Sequence, residues 1–171
     1  MKKIIQLSLI IFSITLLVKC TNVPLSENLI STVPELNGQY KYNDSLIVKF
    51  DVAKDKTVKL TQYKLNEKGN FEFESDEYDL PVYFTDIKYK GKIHHFMSVQ
   101  YKSDAVYYIT KEFSMKNGNL LITNFNQSYI DFKFELSDFD TSEKFKKFVF
   151  DNMSNKDFFE SEKLLFIKRE L

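Results

Sequence analysis

From Asn37 to the C-terminus, apolar and polar positions alternate with a period of two. Leu46, Val48, Phe50 and Val52 are in phase against Ile47, Lys49 and Asp51. Ile93, His95, Met97, Val99 and Tyr101 share one face, opposite His94, Ser98, Gln100 and Lys102. Tyr107, Ile109, Lys111, Phe113 and Met115 repeat the pattern, and Ile130, Phe132, Phe134 and Leu136 alternate with Asp131, Lys133 and Glu135. Such alternation predicts half-buried strands with one wet face. Turn residues separate the runs: Asn43-Asp44, Lys68-Gly69-Asn70, Lys90-Gly91-Lys92, Ser103-Asp104, Asn117-Gly118 and Asn126-Gln127-Ser128. Asn-Gly supplies the positive φ angles of a type I′ hairpin turn. Connections this short join antiparallel neighbours, so the pattern predicts a meander of about nine or ten strands. A meander of that length hides its edges by closing on itself or splitting into two packed sheets. One helix interrupts it. Asp140 and Glu143 fit a capping box, and Phe145, Phe148, Val149 and Met153 recur at helical spacing. That stripe suits a lid or plug packed on the sheet. A shorter turn is expected around 155–160, then a closing strand over 164–168.

The first twenty residues follow another pattern. Lys2 and Lys3 precede an apolar run from Ile4 to Val18, which leads through Lys19 to Cys20, the sole cysteine. A positive start and an apolar stretch of about 7–15 residues read as an export signal. As a helix the run reaches about 22 Å, short of the roughly 30 Å hydrocarbon core. Leu17-Val18-Lys19-Cys20 resembles the lipobox of bacterial lipoproteins, which places an aliphatic residue three before an invariant cysteine. Lys19 stands where that family prefers Gly, Ala or Ser. The resemblance implies cleavage before Cys20, a lipid on its thiol and an extracytoplasmic domain anchored to a membrane of the cell envelope. An uncleaved short anchor and a plain secretory signal are the alternatives. The expected organisation is a signal over 1–19, a lipidated tether over 20–34 and one domain over 35–171. A flexible tether of that length spans about 20 Å. An ordered arm lying across the domain is the other reading of 21–34.

Composition narrows the function classes. Lys plus Arg and Asp plus Glu each number 24. Once Lys2, Lys3 and Lys19 leave with the signal, 21 cations face 24 acids, a net charge of −3. No cationic surplus argues for nucleic acid. The 17 Phe and 10 Tyr suit strands. A lone cysteine forms no internal disulfide, and its place at the end of the apolar run favours modification.

Leu36-Asn37-Gly38-Gln39-Tyr40, the meander and the late helix together resemble the lipocalin-like (calycin) barrels, especially those of small bacterial lipoproteins of unknown function. Classical lipocalins carry Gly-x-Trp in the first strand; here Gly38-Gln39-Tyr40 has Tyr. The resemblance covers roughly 35–171. The expected fold class is therefore mostly β: an antiparallel meander closed into a lipocalin-like β-barrel of about 9–10 strands, one late α-helix over about 141–153, and an N-terminal signal helix. Such a barrel implies a cup for a small apolar ligand, or a scaffold whose loops bind another protein.

The candidate chemistry is sparse. His94 and His95 are adjacent on a strand and point to opposite faces, so they do not share a metal. His95 lies on the apolar face, as a polar anchor within a cup or as a hydrogen-bonded core histidine. Lys111 is in phase with apolar neighbours; it either holds a carboxylate-bearing ligand or snorkels to water. The acidic run Glu72, Glu74, Asp76, Glu77, Asp79 alternates with Phe71 and Phe73 and reads as a solvated strand face. No nucleophile-elbow, phosphate-loop or zinc-binding motif occurs. The expectation is a non-enzymatic, membrane-anchored envelope protein with lipid on Cys20 and no metal or cofactor. Its barrel binds a small apolar or amphipathic molecule through His95, Tyr101, Tyr107 and Lys111. The alternative is a structural or protein-interaction module with a filled barrel.

Overall fold

A computed structural model describes residues 21–31, 33–44, 46–66, 68, 70–73, 80–102, 106–133 and 139–169. The expected signal helix and Cys20 lie outside the described residues. Nine strands are present among them: β1 (Gly38–Tyr42), β2 (Leu46–Val52), β3 (Val58–Leu65), β4 (Phe71–Phe73), β5 (Leu80–Tyr89), β6 (Lys92–Lys102), β7 (Val106–Lys116), β8 (Asn119–Phe125) and β9 (Phe159–Lys168). Eight of them close an antiparallel barrel in the order β1-β2-β3-β5-β6-β7-β8-β9, with β9 returning to β1. The short β4 pairs with β3 beyond the stretch that β5 occupies.

Turn chemistry sets the register. Lys90-Gly91 (φ 46 and 79) and Asn117-Gly118 (φ 52 and 77) join β5 to β6 and β7 to β8. Two successive positive φ angles match the right-handed strand twist, as a type I′ turn requires. The alternation then sends Val48, Phe50, Leu60, Val82, Phe84, Met97, Phe113, Leu120 and Phe166 into one buried cluster inside the barrel.

A second buried cluster lies on the outer wall. Ile87 and Phe96 sit in register positions between inward-facing neighbours and therefore point out of the barrel. There they join Phe125, Phe145, Phe148, Val149 and Phe158. The late helix, α2 (Ser142–Asn152), thus buttresses a wall; the expected lid or plug is corrected. Its cap differs as well. Thr141 accepts the Lys144 amide at 3.3 Å, while the Asp140 carboxylate pairs with Lys144 Nζ at 2.8 Å.

The run read as a strand from Ile130 begins as a helix, α1 (Gln127–Lys133), and residues 134–138 lie outside the description. The reason is topological. β8 already has β7 and β9 on its two sides, so the chain leaving Phe125 has no free edge to continue on. Asn126 starts the helix, its carbonyl accepting the amides of Tyr129 and Ile130 at 3.1 Å.

Residues 21–31 form an arm against the barrel, the second of the two readings of that segment. Thr21 exchanges backbone hydrogen bonds with Tyr108 of β7 at 3.0 and 2.9 Å. The Leu25 amide donates to Ser98 Oγ on β6 at 3.0 Å, and the Leu25 side chain is buried. Phe84 of β5 donates to the Asn28 carbonyl, and Ser31 donates to the Lys56 carbonyl just before β3. The arm therefore crosses the junction where, among the described residues, β3 and β5 share the register pairs Lys59–Pro81 and Leu60–Leu80.

Candidate functional site

The inward faces of β6 and β7 carry all four sequence-predicted ligand residues. Cross-strand register pairs His95 with Phe113, Met97 with Lys111, Val99 with Ile109 and Tyr101 with Tyr107. At about 3.4 Å per residue, His95 and Tyr101 lie about 20 Å apart along β6. The four residues therefore share a wall without forming a single cluster.

Tyr101 and Tyr107 stack near one rim, with ring centres 5.5 Å apart and planes 9° from parallel. Gln62 of β3 reaches across and donates to Tyr101 Oη at 2.8 Å. His95 sits toward the other rim, half-buried, its Nδ1 2.8 Å from Asp86 Oδ1. Its ring lies 5.7 Å from that of Phe113. His94 faces outward, as strand alternation requires, and its Nδ1 is 2.7 Å from Glu112 Oε1. Among the described residues, no three His, Cys, Asp or Glu side chains are grouped to hold a metal. Of the acidic run, Glu72 is exposed on β4, and 74–79 lie outside the described residues.

Lys111 has the most unusual surroundings. It lies between Phe113 and Ile109 on the inward face, and its Nζ donates to Asn124 Oδ1 of β8 at 2.7 Å. Asn124 is itself buried, and its Nδ2 donates to Glu160 Oε2 of β9 at 2.9 Å. A polar chain thus runs from an exposed carboxylate, through a buried amide, to an ammonium inside the barrel. Burial pulls the Lys111 pKa down to about 8, with the Glu160 charge acting in the opposite direction. An ammonium has three donors, and Asn124 takes one of them. An anionic group placed in the barrel would supply both acceptors and charge.

Sequence reasoning missed Asn124, Glu160 and Gln62. Asn124 was legible in principle, since it falls in phase with Leu120 and Ile122. Glu160 was not, because a register shift between Thr123 and Phe125 breaks the count across β8 and β9. Gln62 is in phase with Val58 and Leu60, yet only barrel closure brings it to Tyr101.

Tyr40 is fully buried against Phe50, with ring centres 6.0 Å apart. Its hydroxyl donates to the Glu35 carbonyl at 2.8 Å, and burial, followed by the Glu35 charge, pushes its pKa up to about 12. Compared with protein-family models, curated proteins and solved structures, the chain matches none.

Proposed function

We propose that this protein is an envelope lipoprotein, anchored through Cys20, whose barrel takes a small amphipathic molecule with an acidic head group. The observation that carries the reading is Lys111: an ammonium inside an aromatic barrel, bonded to a neutral amide rather than directly to a carboxylate. The head group of the ligand pairs with Lys111, and its apolar part lies toward the stacked Tyr101 and Tyr107. The arrangement agrees with the binding mode of lipocalin-like barrels, which take ligands at the barrel mouth. The reading is non-catalytic and uses no metal or cofactor.

Displacement of a fluorescent fatty acid tests it. A charge-assisted hydrogen bond contributes about 1.5–3 kcal/mol, so Lys111→Met should weaken binding by roughly 10- to 100-fold. Equal binding by the variant overturns the role of Lys111. Intact-mass analysis of the mature N-terminus tests the anchor separately, and an unmodified Cys20 or a retained signal overturns that part.

A second reading rests on the centre of the barrel, where Tyr40, Phe50, Phe84 and Phe113 are all buried together. Small barrels are completely filled by their own side chains in many proteins. In that case the protein is a structural or protein-interaction module. A melting temperature indifferent to a broad apolar ligand panel supports it.

A further inference from the structure

Lysines cluster along one hairpin of this nearly neutral chain. Between Asp86 and Asp104 there is no acidic residue, while Lys88, Lys90 and Lys92 crowd the β5–β6 hairpin. The next hairpin, Asn117-Gly118, lies at the same end of the barrel because β6 and β7 are antiparallel neighbours. Lys116 precedes it. Lys168, ending β9, lies across it, its Cδ 4.0 Å from where a Cβ on Gly118 would stand. Arg169 follows, its amide bonded to the Gln39 carbonyl on β1. Among the described residues, Lys88, Lys90, Lys92 and Lys116 make no ion pair.

Apolar groups accompany these cations. Ile93 is 60 % exposed at the start of β6, and Phe150 is 46 % exposed on α2. The Phe150 ring sits 5.7 Å from that of Tyr89, over which Lys90 Nζ lies at 5.3 Å. Lysines interleaved with exposed aliphatic and aromatic side chains suit the boundary between anionic head groups and acyl chains. A soluble polyanion would answer the charge and leave Ile93 and Phe150 wet.

We propose that this hairpin end of the barrel docks on an anionic lipid surface, with the lysines over head groups and Ile93 and Phe150 entering the interface. The surface is separate from the segment that leads to Cys20. Thr21 lies opposite Tyr108, and Lys116 ends the same strand about 27 Å further along. The inference therefore stands apart from the lipid attachment and from Lys111.

The test uses the membrane-anchored protein, reconstituted by its N-terminus into phosphatidylcholine vesicles and mixed with fluorescent vesicles containing phosphatidylglycerol. Capture of the anionic vesicles should exceed capture of neutral ones by at least about fivefold, and should be lost in about 0.5 M salt as screening shortens the reach of charge. Reversal of the hairpin charges (Lys88→Glu with Lys90→Glu and Lys92→Glu) should cut capture by about tenfold or more, with the melting temperature confirming a folded barrel. The neutral triple variant to Gln serves if reversal unfolds the protein. A charge-matched set elsewhere (Lys68→Glu, Lys156→Glu, Lys163→Glu) should leave capture within about twofold. Equal loss in both sets overturns the assignment of this surface. Unchanged capture after Ile93→Ser with Phe150→Ser, or preferential binding of a soluble polyanion such as an oligonucleotide, overturns the lipid partner.

Discussion

Lys111 occupies a position that the strand pattern assigns to an apolar side chain, and its ammonium carries the consequence. Its pKa falls from 10.5 to about 8 on burial, so the folded protein holds fewer protons than the unfolded chain between those values. Folding therefore works against the charge below about pH 8, and that opposition is relieved as pH rises from about 8 to 10.5. Relative to Lys111→Met, the wild-type protein should gain stability across that window, by about 1–2 kcal/mol after allowance for a partly wet side chain. Melting temperatures of both proteins from pH 7 to 11 measure it; parallel curves would show the ammonium to be solvated. Ligand binding has the opposite sign, because an acidic head group favours the charged form. Affinity should hold below about pH 8 and decline above it. That Lys111 faces inward was legible from its phase with Ile109 and Phe113. The Asn124–Glu160 chain that answers its charge was not, since it depends on which strands become neighbours.

At the scale of elements, local chemistry was the most readable. The alternating runs became strands, and Asn117-Gly118 became the expected hairpin turn. The late helix appeared at Ser142–Asn152, yet its cap moved by one residue from Asp140 to Thr141. Both side chains can cap a helix; the choice follows from which one keeps an extended backbone, and Thr141 has φ −140° and ψ 149°. Thr141→Ala should destabilise the protein by about 1 kcal/mol in urea unfolding, whereas Asp140→Ala, which breaks an exposed and solvent-screened ion pair, should cost clearly less. Equal costs would return the cap to Asp140. The failure at Ile130 is instructive in the same way. A period of two predicts a strand only when a neighbour offers an edge, and both edges of β8 were taken.

Over the whole molecule, two junctions of the barrel are narrow among the described residues. β1 and β9 share the register pairs Tyr40–Lys168 and Lys41–Ile167, and β3 meets β5 over a similarly short stretch. The arm over 21–31 crosses the second junction and ties β7, β6, β5 and the segment just before β3 together. Leu25 is its buried anchor, packed with the outer-wall cluster. Leu25→Ala should cost about 2–4 kcal/mol and quicken hydrogen exchange at the Phe84 amide, which bonds to the Asn28 carbonyl. A loss below about 0.5 kcal/mol would make the arm a passive tether. The sequence alone determined that the chain is mostly β, antiparallel and aromatic-cored, because alternation and turn residues act within a few positions of each other. It also placed His95, Tyr101, Tyr107 and Lys111 on inward faces, since parity along a strand needs no knowledge of the partner. The closure of eight strands, the wrapping arm, the helix on the outer wall and the gathering of lysines at one end belong to the tertiary structure. Each joins residues far apart in the chain, and only the competition for strand edges and buried surface decides which of them meet.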